Sequence, residues 1–290
     1  MKHLALALLI AACGSPKPTT PPAPPVDSFV PTAFAVKVSG TGRAVIFIPG
    51  LGSPGSVWDG TIAHLGGRVQ AHVLTLAGFA GQPPIKPPFL LSVHDQIVHY
   101  IHANHLDHPI IVGHSLGGMM TLWLAETNSS DLGGIVDVEG LPFLAAVADS
   151  TVTEAQGAAT GQQMHDMFMK MSDTQFVAGT KQALAGMITK PEDLERIGLE
   201  TEKSDRETFA NAFAELSAKD LRPDLPKITT KVTIIAAGNG PAPRPQLEAA
   251  WHTQTDAIKG ADLHFVEDAK HFVMLDQPEA FYAVLDPALH

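Results

Sequence analysis

Six residues, 113-GHSLGG-118, hold a serine with a glycine two positions away on each side. They follow a short apolar run at residues 109–112 and precede a helical pattern at residues 116–125, with Leu, Met and Trp on one side. Strand, sharp turn and helix are the expected context. Such a turn forces Ser115 into a strained backbone conformation, and side chains at Gly113 and Gly117 would collide with the neighbouring strand and helix. The strain lifts the hydroxyl clear of the sheet edge. The helix that starts there points its N-terminal amides at whatever the hydroxyl attacks, so the Leu116 amide is a candidate oxyanion donor.

The elements around this turn must hold it in place. Residues 34–38 alternate apolar and polar as an edge strand does, and residues 43–48 form a β-branched run that ends at Pro49-Gly50. A helix over 56–65, a strand over 69–76, a Gly- and Pro-broken loop at 78–88 and a helix over 91–104 follow. Beyond the serine come a strand over 134–138 and then, from Pro142 to Pro226, a stretch with no β-branched run. It reads as helices around 162–171, 174–188, 191–199 and 205–218; Pro191 with Glu192 and Asp193 makes a strong helix start. Alternation resumes with strands at 231–237 and 262–266 and helices at 246–258 and 277–285. Strands alternating with helices predict a mostly parallel sheet covered on both faces, with an inserted helical cap at about 142–226.

From about Phe34 onward the chain resembles the α/β-hydrolase family, through 49-PGLG-52, 113-GHSLGG-118 and 270-KHFVMLDQPEAF-281. The resemblance implies an α/β fold and acyl transfer from Ser115, with His271 as general base. It also implies a second oxyanion donor in the Leu51 amide, although many relatives carry His where this chain has Pro49. The family usually places its acid after the strand that here ends 236-AAGNG-240, where this chain has Asn239 and no following carboxylate. A second arrangement puts the acid at the end of the preceding strand, within 134-GIVDVEGLP-142. Alternation puts Asp137 and Glu139 on one face, and only Glu139 reaches the C-terminal rim. Glu139 is the expected acid, with Asp137 and then Asp268 as alternatives.

Other histidines offer competing readings. His114 adjoins the serine, but the turn is expected to aim it elsewhere, and His264 falls inside a strand. His99, His102, His105 and His108 recur every third residue; that spacing cannot converge all four, so a solvated helix face is expected and no metal. The cap methionines, Met164, Met167, Met169, Met171 and Met187, read either as an adaptable apolar pocket or as ordinary core.

Composition bounds the function. The chain has 290 residues, 45% hydrophobic and 17% charged, which fits a globular protein. A formal net charge of −11 disfavours nucleic acid and anionic membranes as partners. The single cysteine, Cys13, excludes an internal disulfide. Residues 1–12 have the shape of a signal peptide, and 10-IAAC-13 resembles a bacterial lipobox, which implies lipidation at Cys13 and a lipid-anchored place in the cell envelope. Residues 13–31, rich in proline, read as a tether, and residues 32–290 as the hydrolase domain.

The expected activity is therefore a serine hydrolase that takes a small-molecule acyl substrate, a carboxylic ester or lactone, and needs no cofactor. Aminopeptidase-like and C–C bond hydrolases share this constellation. Dehalogenases and epoxide hydrolases of the fold need Asp at the nucleophile, so Ser115 argues against them. A non-catalytic envelope lipoprotein with a degenerate triad is the rival from another class, with Asn239 as its support.

Overall fold

The computed structural model describes residues 29–240 and 242–290. The expected signal, Cys13 and the expected tether as far as residue 28 lie outside the described residues. Phe29, at the end of the expected tether, stacks on His99 with ring centroids 3.9 Å apart. The Thr32 and Ala33 amides both donate to Gln96 Oε1, at 2.7 and 2.9 Å.

A seven-stranded sheet forms the centre of the described chain, in the order β1-β3-β2-β4-β5-β6-β7. Its strands are β1 (Phe34–Ser39), β2 (Ala44–Ile48), β3 (Gln70–Leu76), β4 (Ile110–His114), β5 (Gly134–Val138), β6 (Val232–Ala237) and β7 (Asp262–Val266). Only β1 runs antiparallel, against β3. Every residue of β2, β4, β5 and β6 is buried, as their largely apolar runs require of strands covered on both faces. Helices α1 (Asp59–Leu65), α2 (Phe89–Ala103), α3 (Leu116–Asn128), α8 (Arg244–Thr255), α9 (Val273–Asp276) and α10 (Pro278–Ala288) belong to the core.

Pairing register sets the position of the site. Ile48 pairs with Gly113, His114 with Val138, and Val138 with Ile235. The four central strands thus end at one rim, and the residues just past them emerge side by side.

Four helices lie between β5 and β6: α4 (Glu154–Lys170), α5 (Asp173–Met187), α6 (Pro191–Thr201) and α7 (Arg206–Ala218). Capping boxes at Thr153/Gln156 and Ser172/Gln175 start α4 and α5, Pro191 opens α6, and the Asp205 carboxylate accepts the Thr208 amide at the head of α7. Helix α4 begins at Glu154, set by its capping box, rather than near residue 162; apolar periodicity does not mark its first turns, which present glycines to α7. Gly161 meets Ala214 there, and Gly157 meets Ser217 and Phe143. Phe168, Phe176, Phe209 and Phe213 form an edge-to-face cluster beside them. Of the cap methionines, Met167, Met169 and Met187 are exposed, so they belong neither to the core nor to an enclosed pocket.

Glycine in a helix interior ordinarily costs about 1 kcal/mol against alanine. At Gly179, where an added Cβ meets nothing within 4 Å, Gly179→Ala should stabilise by about that amount. At Gly157 a Cβ would come within 2.8 Å of the Phe143 ring, so Gly157→Ala should destabilise by about 1–3 kcal/mol. Urea midpoints check both, and equal shifts for the two variants would contradict the packing described.

Candidate active site

Ser115 links β4 to α3 with φ 57° and ψ −116°. Its amide donates to the Val138 carbonyl at 2.8 Å, and its own carbonyl accepts the Met119 amide at 3.0 Å, so the strained residue is held from both sides. A methyl at Gly113 would collide with the Gly117 carbonyl, and one at Gly117 with the Ile48 carbonyl. Both expected glycines are thus required by close backbone approach. Gly118 and Gly140 are pressed together in the same way, which the spacing around the serine did not indicate.

The loop after β2 lies against the serine: a Cβ on Gly50 would stand 3.1 Å from Ser115 Cβ. Leu51 follows in a turn closed by the Ser53 amide on the Gly50 carbonyl at 3.1 Å. Leu116 is the first residue of α3, where amides have no partner within the helix. Among the described residues, neither the Leu51 nor the Leu116 amide donates to another backbone group.

His271 sits between β7 and α9, and its Nδ1 lies 2.9 Å from Glu139 Oε2. The other carboxylate oxygen, Oε1, accepts the Ala237 amide at 2.6 Å. A carboxylate only accepts, so Nδ1 carries the hydrogen and Nε2 is left as the basic nitrogen. Glu139 has φ 60°, and its amide donates to the Ile235 carbonyl at 3.0 Å. The structure therefore brings Glu139 and His271 together at the rim where Ser115 emerges.

Two sequence arguments need correction here. Strand alternation does not extend to Glu139, which lies past the last residue of β5 and turns through a left-handed conformation. Asp137 is fully buried; its Oδ1 accepts the Gly140 amide at 2.8 Å, while Oδ2 has no partner. Burial pushes its carboxyl well above the usual carboxylate range; the Gly140 amide opposes that shift and the nearby Glu139 adds to it. Asp268 and Asn239 are exposed. Second, the turn does not aim His114 away from the site: its Nε2 lies 2.9 Å from the His271 carbonyl.

Other residues acquire roles that spacing alone did not show. Asp276 is buried and accepts from the Lys270 amide, the Thr189 amide and the Thr189 hydroxyl, which ties the loop of His271 to the cap. Arg196 of α6 reaches the Ser56 carbonyl at 3.0 Å and lines a cleft of about 470 Å³ with Pro54, Asp59 and Glu200. The regular histidine series is broken, since α2 ends at Ala103 and His105 and His108 follow with positive φ. His264 does lie within β7. Among the described residues no group of three or more His, Cys, Asp or Glu is arranged to hold a metal ion, and no helix is long and apolar enough to cross a membrane.

Solved structures share this architecture. A hydrolase from Pseudomonas aeruginosa PA01 superposes with a TM-score of 0.75 at 19% identity, over 88% of this chain and 94% of that one. An enol-lactonase from Burkholderia xenovorans LB400 gives 0.71 at 18% identity, over 88% and 96%. At such identities the likeness is one of fold. Among curated proteins, a pimeloyl-[acyl-carrier protein] methyl ester esterase from Vibrio atlanticus is 29% identical over 112 residues, which span 39% of this chain and 42% of that protein. Residues 45–284 match the family model described as the alpha/beta hydrolase family. With that match running from β2 into α10, the chain belongs to the alpha/beta hydrolase family.

Proposed function

We propose that the protein is a serine hydrolase that cleaves a carboxylic ester or lactone through an acyl-enzyme on Ser115. The observation that carries this reading is the Glu139–His271 hydrogen bond of 2.9 Å, beside a serine held in a strained turn. In the first half-reaction the Ser115 hydroxyl attacks the acyl carbon while His271 Nε2 takes its proton. The Leu51 and Leu116 amides receive the charge that develops on the carbonyl oxygen, and Glu139 stabilises the imidazolium. Collapse expels the alkoxide, which takes the proton from His271; water then repeats the sequence and frees Ser115.

The names of the similar proteins, an esterase and an enol-lactonase, agree with ester or lactone chemistry. The cleft lined by Asp59, Arg196 and Glu200 includes neither Ser115 nor His271, so it carries no part of this reading. The non-catalytic alternative rested on Asn239, which is exposed, whereas Glu139 occupies the position beside the imidazole. That favours the catalytic reading.

A fluorophosphonate probe should label the wild type and leave Ser115→Ala unlabelled; labelling that survives the substitution would sink the proposal. On a nitrophenyl ester, Glu139→Gln should lower kcat by on the order of 10⁴, while Asp137→Asn stays within about tenfold of the wild type. The reverse ranking would move the acid to Asp137.

Asp137 also predicts a pH dependence of stability. Its raised value means that the folded chain keeps a proton which the unfolded chain releases above about pH 3.9, so this contribution to stability is full below that pH and declines as pH rises. Asp137→Asn keeps an acceptor for the Gly140 amide and removes the titration. Its stability relative to the wild type should climb between pH 4 and pH 8 in urea melts; a constant difference would show that Asp137 does not titrate in this way.

A further inference from the structure

His114 precedes the nucleophile, yet acyl transfer by Ser115, His271 and Glu139 requires no imidazole at that position. The ring is completely buried, an expensive place for two polar nitrogens. Its Nε2 lies 2.9 Å from the backbone carbonyl of His271. A carbonyl only accepts, so Nε2 carries the hydrogen and Nδ1 is a bare lone pair. That lone pair has no hydrogen-bond partner among the described residues. It abuts Gly50, where a Cβ would stand 3.0 Å from Nδ1 and 3.1 Å from Ser115 Cβ. The ring also packs against His271 and Phe272, with centroids 4.7 and 4.5 Å away.

One side chain therefore meets three of the four loops that build the site. It adjoins the nucleophile in the chain, hydrogen-bonds the backbone of the base, and packs on the loop that carries the Leu51 amide. Glu139 holds the base at a single ring nitrogen, which leaves the imidazole free to tilt about that bond. A second anchor at the carbonyl of the same residue fixes the backbone from which that ring hangs, and the His114 ring packs against it. Burial, and next the proximity of His271, push the His114 ring well below the usual histidine value, so it stays neutral and puts no like charge beside the imidazolium of the base.

We infer that His114 is a positioning residue, whose hydrogen bond from Nε2 to the His271 carbonyl sets the base at the height from which it can take the Ser115 proton. The inference rests on the acyl-transfer reading. Reacting groups must approach to within about 3–3.5 Å, and a displacement of about 1 Å costs on the order of a hundredfold in rate. A ring that only filled space would be replaceable by an apolar side chain of similar size; a positioning donor would not.

The test compares His114→Leu, which fills volume without a donor, with His114→Gln, which restores an N–H at similar reach. Turnover of a nitrophenyl ester is divided by the Ser115 sites titrated to completion with fluorophosphonate, so misfolded protein does not count. His114→Leu should lose about a hundredfold in kcat with KM within about threefold, and His114→Gln should recover to within about tenfold of the wild type. Full kcat in His114→Leu, or equal losses in both variants, would overturn the inference. Should His114→Leu not fold, ¹⁵N resonances of the wild-type imidazoles decide: a neutral ring with hydrogen on Nε2 is expected, and a charged ring or one with hydrogen on Nδ1 would overturn it. Absence of Ser115 labelling in the wild type is a separate result, which would remove the acyl-transfer reading itself.

Discussion

The hydrogen-bond ladder of the central sheet extends one residue past the strands, and the site is built on that extension. The amide of Ser115 bonds to the last residue of β5, and the amide of Glu139 bonds to Ile235 in β6. Both residues have positive φ, near 60°, a conformation that non-glycine residues adopt only under constraint, at about 1–3 kcal/mol each. The ladder bonds offset that cost, because releasing either residue would leave a polar backbone group unpaired at the edge of a buried sheet. Strain at Ser115 and strain at Glu139 thus have a common support. The glycines complete it by letting backbone approach backbone where any side chain would intrude.

Much of this was legible in the amino-acid sequence, for physical reasons. Strands buried on both faces are mostly apolar, and β4, β5 and β6 read that way apart from His114, Asp137 and Thr233. The glycines around Ser115 carry a spacing that suits a strand-turn-helix, and His271 followed from the resemblance to the α/β-hydrolase family. What escaped depended on direction and burial. Alternation predicts orientation only while a strand lasts, and Glu139 lies past the end of β5; the turn, for its part, was expected to aim His114 away from the His271 carbonyl that it reaches. Asp137 and Glu139 look alike in sequence; one lies fully buried against Gly140 and the other turns to an imidazole. The start of α4 was missed because Gly157 and Gly161, its contacts with α7, leave no apolar periodicity, although Thr153 and Gln156 mark its cap.

The cap joins the chemistry through few but specific contacts. The Ser204 hydroxyl donates to the Gly52 carbonyl at 3.1 Å, and Phe209 packs where a side chain on Gly52 would stand. Asp276 links the loop of the base to Thr189, between α5 and α6. The cap helices are therefore fastened to the loop after β2 on one side and to the loop of His271 on the other. Groups held in place in advance are the condition for stabilising charge as it forms rather than after rearrangement.

The central claim is that a covalent acyl group forms on Ser115. Acid quenching during turnover of a nitrophenyl ester, followed by tandem mass spectrometry of the peptides, tests it most directly. The account predicts the acyl mass on the peptide that contains Ser115 and localised to that residue. Efficient turnover with no acylated peptide, or with the acyl group on another residue, would contradict it.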